Sequence, residues 1–123
     1  MFGLKKVSIW LAMMAVSTSA VAGVALEAKA QDRSLWLHNG QSDLVEGYFA
    51  AGELIYGDCD HDCYDIDLFL YDRRGNVVAQ DTDIDAEPVL VAPYEGAFVV
   101  EVSMPSCNHV EGCEVWLSSE YGF

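Results

Sequence analysis

The feature that most constrains this chain is a succession of short apolar or alternating runs after residue 30, separated by turn-forming residues. None of these runs has the 3.6-residue period of a useful helix, whereas alternate apolar positions are typical of strands with one buried face. The runs recur at intervals of roughly ten residues, as in antiparallel sandwiches and barrels. The predicted strands are 34–38, 44–50, 53–56, 65–71, 76–81, 88–92, 97–104 and 114–119. The sequence therefore predicts an all-β, antiparallel fold of about eight strands.

Two of the predicted strands, 65–71 and 97–104, give the clearest prediction of a core. Neighbouring side chains of a strand point to opposite faces, so alternate apolar residues share one side of the sheet. The predicted core residues are Ile66, Leu68, Leu70, Phe98, Val100 and Val102. After the first of these strands, the segment 73–75 (RRG) predicts a hairpin turn in which Gly75 adopts a left-handed conformation.

The beginning of the chain has the layout of a secretory signal peptide. Lys5 and Lys6 precede an apolar stretch at 7–16, and small residues follow it. That stretch is too short to cross a bilayer of roughly 30 Å as a helix, which favours a cleaved signal over an uncleaved membrane anchor. Small-x-small cleavage motifs end at Ala30 and, alternatively, at Ala22. We therefore expect export to the periplasm or the medium, with no membrane span after cleavage.

Cleavage after residue 30 leaves a signal peptide of 1–30 and one small domain of 31–123. That domain holds 19 of the 20 acidic residues but only three of the six bases, a net charge of −16. So strong a negative field repels nucleic acid and anionic lipid, and neither is expected as a partner. The expected partner is an extracellular or periplasmic protein, a peptide or a glycan.

The four cysteines all follow the signal, and an oxidising compartment would convert them to disulfides. Cys59 and Cys63 are four residues apart, and Cys107 and Cys113 are six apart. An extended strand would hold residues 59 and 63 about 13 Å apart, so a bond between them requires a tight loop. Turn-forming residues inside both pairs favour the local pairings 59–63 and 107–113, with crossed pairing left open.

Acidic residues around the first cysteine pair suggest a calcium loop. Calcium takes six to eight oxygen ligands at about 2.3–2.6 Å, and carboxylates at alternate positions can wrap a loop around one ion. The candidate ligands are Asp58, Asp60, Asp62, Asp65 and Asp67. A second cluster of the same spacing lies at 81–85, and neither cluster is an EF-hand. The alternatives are solvated, turn-forming aspartates and a zinc site that combines the cysteines with His61 and His109.

The stretch 57–72 (GDCDHDCYDIDLFLYD), followed by GNVVAQD at 75–81, resembles the bacterial pre-peptidase C-terminal domain. That family shows an Asp-x-Asp-Leu-x-Leu-Tyr-Asp strand, a Gly-Asn turn and a strand ending near Asp. The resemblance covers roughly residues 44–119, with Pro88 and Gly96 in the expected order. It implies a jelly-roll-like β-sandwich that serves secreted enzymes as an accessory, substrate-binding or secretion-related module, and some related collagen-binding modules bind calcium. The four cysteines suggest a small, exported, stand-alone version.

The motifs favour binding over catalysis. No serine lies in a Gly-x-Ser-x-Gly elbow, no glycine-rich phosphate loop is present, and an enzyme is not expected. Phe69 and Tyr71 lie opposite the predicted core set and, if exposed, would form a patch for a peptide or a glycan. The predicted function is an exported, non-catalytic binding or accessory module, with calcium as a candidate stabilising ion. The alternative is a structural or cell-envelope interaction protein that self-associates or binds the cell surface.

Overall fold

A computed structural model describes residues 33–123, which form eight strands. The strands are β1 (Arg33–Leu37), β2 (Ser42–Phe49), β3 (Leu54–Cys59), β4 (Cys63–Tyr71), β5 (Val77–Asp81), β6 (Val89–Val91), β7 (Gly96–Cys107) and β8 (Cys113–Ser119). The described residues contain no helix, and hence none that could cross a membrane. The expected signal peptide, with cleavage after Ala30 or Ala22, lies outside these residues.

All eight predicted strands are present, and their bounds differ from the predicted ones by at most three residues. Strand β4 begins at Cys63 rather than at residue 65, and β7 ends at Cys107 rather than at residue 104. The physical reason is that the pairing between β4 and β7 continues to the pair Cys63 and Cys107, with local irregularities on the way.

The strands form two antiparallel sheets, which we call sheet A (order β1-β8-β3-β6) and sheet B (order β2-β7-β4-β5). Strand β1 pairs with β8, β2 with β7, β3 with β6 and β4 with β5, as in one long hairpin rolled over on itself. The pairings β3–β8 and β4–β7 complete the sheets. This arrangement confirms an eight-stranded, jelly-roll-like β-sandwich.

The inner faces of the two sheets meet in one apolar core. The six predicted core residues of β4 and β7 are all buried, with at most 3% of any of them exposed. Sheet A contributes the buried side chains of Leu37, Ile55, Leu90, Val115 and Leu117. Burial alternates along these strands, because only every second side chain faces the other sheet. Removal of this apolar surface from water is the main stabilising contribution to such a fold.

The hairpin between β4 and β5 has the predicted turn. Gly75 has a φ of 86°, a left-handed conformation that residues with a Cβ rarely adopt. Asp72 closes the turn, because its Oδ1 accepts hydrogen bonds from the backbone amides of Arg74 and Asn76, both at 2.9 Å. These bonds, led by the one from Asn76, hold the pKa of Asp72 below its usual value.

Candidate functional site

Both disulfides lie at the same end of the sandwich, and each joins the two sheets. The bond Cys59–Cys63 links β3 to β4, and the bond Cys107–Cys113 links β7 to β8, with Cα–Cα distances of 5.9 and 6.0 Å. Cys63 is the register partner of Cys107, so the two bonds are neighbours. This confirms the local pairing. Since all four cysteines are paired, none of their thiols is available for the alternative zinc site.

Asp60 organises the loop between Cys59 and Cys63. Its Oδ1 accepts from the amide of Asp62 at 3.2 Å, and its Oδ2 accepts from the amide of Glu114 at 2.8 Å. The amide of Asp60 in turn donates to the carbonyl oxygen of Glu114 at 3.1 Å. Both carboxylate oxygens are therefore engaged in closing the loop and in extending the pairing of β3 with β8.

The five candidate calcium ligands do not come together. Asp58 lies on the exposed face of β3 in sheet A, whereas Asp65 and Asp67 lie on β4 in sheet B, opposite its buried residues. Asp60 and Asp62 lie in the loop between the two sheets. In the part of the chain that the structure describes, no three His, Cys, Asp or Glu side chains converge as a metal site. The set does not fit a single calcium ion, and calcium binding stays a prediction.

Asp65 and Asp67 nevertheless have an unusual environment. One carboxylate oxygen of each, Oδ1, is buried and has no hydrogen-bond partner. Burial raises the pKa of Asp67, and the nearby negative charges of Asp65, Asp81 and Asp85 raise it further. Parts of both acidic clusters are therefore close enough to repel one another, which destabilises the charged form of Asp67.

The one fully buried acid in the described residues, Glu53, is a structural group. It is 2% exposed and directly precedes β3. Its Oε1 accepts from the amide of Ala50 at 2.8 Å, and its Oε2 accepts from Ser119 Oγ at 2.6 Å and from the amide of Tyr121 at 3.2 Å. Three donors thus compensate the buried charge. Glu53 fastens the C-terminal residues to the turn before β3, a role that the sequence pattern did not reveal.

Phe69 and Tyr71 lie on the outer face of sheet B, as the alternation predicted, but both are half-buried. Tyr71 Oη donates to Glu101 Oε1 at 2.6 Å, and this bond raises the pKa of Tyr71. Glu101 is also the register partner of Phe69 on β7. The predicted patch is therefore partly covered and acidic at its centre.

The outer face of sheet A is the more exposed aromatic surface. Trp36 on β1 is 61% exposed, Trp116 on β8 is 39% exposed and Tyr56 on β3 is 36% exposed. Trp36 pairs with Glu114, two residues before Trp116, and Tyr56 pairs with Ser118, two residues after it. Each aromatic residue is therefore offset by two residues from the next one across the sheet. Such diagonal neighbours have Cα atoms about 7–8 Å apart. We call these three residues the aromatic row.

Polar groups lie beside the aromatic row. Asp58 is the register partner of Trp116, and Glu114 is that of Trp36. Ser34 Oγ donates to Glu114 Oε2 at 2.6 Å, which holds this carboxylate on the face. Trp36 also lines a shallow depression. The rest of its lining comes from the loop between Cys59 and Cys63 and the loop between Cys107 and Cys113. The row therefore continues into the disulfide end of the sandwich.

No family model matches the chain, and no curated protein sequence matches it. The resemblance to the pre-peptidase C-terminal domain therefore stays a prediction.

Proposed function

We propose that residues 31–123 form an exported, non-catalytic binding module whose ligand lies on the outer face of sheet A. The observation that carries this proposal is the aromatic row of Trp36, Trp116 and Tyr56. Single exposed apolar residues are common on protein surfaces, but a contiguous group flanked by polar side chains is typical of an interaction site. Trp and Tyr also provide a large contact area with few rotatable bonds, so little conformational entropy is lost on binding.

Two of the six tyrosines and the buried acid of the domain support binding rather than catalysis. Tyr48 and Tyr71 donate hydrogen bonds to Glu95 and Glu101, and these bonds raise the pKa of both hydroxyl groups. A raised pKa makes a tyrosine less available as a base or nucleophile near neutral pH. The carboxylate of Glu53 is bonded to three donors and is only 2% exposed, so it does not face a substrate at the surface.

Export is supported by the leader and by the two disulfides, which are compatible with an oxidising compartment. The mass of the protein recovered from the periplasm or the medium tests this part of the proposal. Cleavage after Ala30 would give a chain that begins at Gln31, and cleavage after Ala22 would give one that begins at Gly23. Recovery only from the cytosol, with the leader intact apart from loss of Met1, would contradict export.

Binding at sheet A is tested with immobilised peptides and glycans probed by the exported protein and two variants. Trp116→Ala removes the centre of the aromatic row, and we expect it to lose the ligands that the wild type retains. Tyr121→Ala is the control, because its side chain is 71% exposed near the C terminus, outside the strands of sheet A. Equal binding by both variants, or the absence of any ligand for the wild type, would contradict the proposal.

Self-association is the alternative function, and the edge strands are the feature in its favour. Strand β2 forms one edge of sheet B and has unpaired backbone groups along that side. It also carries the exposed acids Asp43 and Glu46, which repel a second copy of so acidic a chain. We therefore favour ligand binding. A rise of apparent mass with concentration in light scattering would favour self-association instead.

A further inference from the structure

We infer that the ligand of sheet A is an extended polypeptide segment with Lys or Arg side chains at alternate positions. Its cations would lie over Trp116 and Trp36, between the carboxylates of Asp58 and Glu114. This inference rests on the proposed function and adds to it the chemistry of the ligand. It is carried by the placement of aromatic rings and carboxylates on one face.

Each tryptophan of the aromatic row has a carboxylate directly beside it. Asp58 faces Trp116 across β3 and β8, and Glu114 faces Trp36 across β8 and β1. Directly opposite residues on one face have Cβ atoms about 4.5–5.5 Å apart. A cation over either ring would therefore meet both the ring and a negative charge, and Trp is the best aromatic partner for a cation.

Both carboxylates keep one oxygen open to a ligand. Asp58 Oδ1 accepts from the amide of Cys59 at 2.8 Å, which leaves Oδ2 available. Glu114 Oε2 accepts from Ser34 Oγ, which leaves Oε1 available. The existing bonds restrain the two side chains, so that less entropy is lost when a cation binds.

The arginines of the described part of the chain lie away from the aromatic row. Arg73 and Arg74 lie in the turn between β4 and β5 of sheet B. The guanidinium of Arg33 donates to the carbonyl oxygen of Phe123 at 3.2 Å and lies 5.6 Å from the centre of its ring. Residues 31–123 contain no lysine. The charge of the face is therefore complementary to an external cation, whereas the net charge of −16 on residues 31–123 opposes the approach of a second copy.

The spacing of the row favours a polypeptide with a repeating pattern. Alternate residues of an extended peptide are about 6.5–7 Å apart, close to the diagonal spacing of about 7–8 Å within the row. The depression beside Trp36 is lined by Asp62 and Glu111 together with His61 and His109, and Asp62 Oδ2 lies 3.6 Å from His61 Nε2. A segment that follows the row would meet Asp62 and Glu111 there. A neutral glycan would stack on the rings without use of this charge.

The test is a fluorescence titration of the exported protein with an octapeptide of alternating Arg and Ser. Both tryptophans after residue 30 belong to the row, so their fluorescence reports its occupancy. We expect saturable binding that weakens about tenfold in the double variant Asp58→Asn/Glu114→Gln, because both local charges are lost. The same peptide with citrulline in place of arginine is expected not to bind.

The matched control is the double variant Asp43→Asn/Glu46→Gln. It removes the same net charge from sheet B, and Asp43 accepts from the amide of the next residue at 2.8 Å, as Asp58 does. Equal weakening in both double variants would show a general attraction of a polycation and would overturn the inference. Thermal unfolding of each variant checks that the fold is retained.

Two further outcomes separate this inference from the proposed function. Suppose that maltoheptaose or hexa-N-acetylchitohexaose binds in a Trp116-dependent way and the arginine peptide does not bind. The proposed binding face would then be correct, and the inference of a cationic peptide ligand would be wrong. If the arginine peptide binds but Trp116→Ala has no effect, both are wrong.

Discussion

Cys63 and Cys107 lie directly opposite each other on β4 and β7, so the two disulfides stand side by side. Each disulfide joins sheet A to sheet B at the same end of the sandwich. The two loops also contact each other, because the amide of Asn108 donates to the carbonyl oxygen of Asp62 at 2.8 Å. The aromatic row ends beside these loops, and the disulfides therefore stabilise the part of the fold that borders the proposed binding face.

Replacement of one disulfide by two serines, as in Cys59→Ser/Cys63→Ser, is expected to lower the free energy of unfolding by about 2 kcal/mol. The reason is that each bond closes a short loop and restricts the unfolded chain. Loss of both disulfides would remove about 4 kcal/mol, a large share of the roughly 5–15 kcal/mol typical of native domains. Urea unfolding measures the change. A four-serine variant as stable as the wild type would show that the bonds do not stabilise the fold.

Glu53→Ala is expected to destabilise the domain by at least about 2 kcal/mol, because buried donors lose their acceptor. Glu53→Gln should lower the free energy of unfolding by less, because the side chain keeps one acceptor oxygen. Its NH2 group would, however, face at least one of the three donors. Glu87→Ala is the control, because Glu87 is exposed. Thermal or urea unfolding should give the order Glu87→Ala, Glu53→Gln, Glu53→Ala, from most to least stable. Equal stability of both alanine variants would contradict the structural role of Glu53.

Asp67→Asn is expected to raise the melting temperature at pH 7. Burial and neighbouring carboxylates raise the pKa of Asp67 in the folded protein, so its charged form destabilises the fold. The destabilisation is complete above the folded pKa and disappears as the pH falls toward the unfolded value of about 3.9. The difference in melting temperature between Asp67→Asn and the wild type should therefore shrink as the pH is lowered from 7 to 4. Asp83→Asn, at an exposed position, removes the same charge as a control. An equal gain from both variants would contradict the explanation.

The calcium prediction is open and can be tested with the same pair of variants. Binding to the folded protein alone must raise its melting temperature, by mass action. If calcium binds at the acids around Asp67, millimolar calcium should stabilise the wild type and Asp83→Asn but not Asp67→Asn. A wild-type melting temperature that is the same in calcium and in chelator would exclude calcium as a stabiliser of this domain.

Local pattern was sufficient for the strands, the core and the disulfides. Burial with a period of two is set by neighbouring residues, so the alternation at Ile66, Leu68 and Leu70 could be interpreted without knowledge of the partner strands. The disulfides were predictable for a related reason, because each closes a loop within a few residues of chain.

Features that depend on which sheet a residue joins were not predictable in this way. Asp58 and Asp65 are close in sequence, but the chain changes sheets between them, which separates the expected calcium ligands. Trp36, Tyr56 and Trp116 are far apart in sequence, and only the order β1-β8-β3 brings them together. The sequence does indicate that each of these aromatic side chains points outward, because each lies between apolar neighbours. Trp116, for example, lies between Val115 and Leu117.

The most direct test of the central claim is to map the backbone amide resonances of the ¹⁵N-labelled exported protein during titration with the alternating Arg-Ser peptide. We expect the shifted resonances to cluster on β1, β8 and β3, around Trp36, Trp116 and Asp58. Shifts confined to sheet B around Phe69 and Tyr71, or no shifts at saturating peptide, would contradict it.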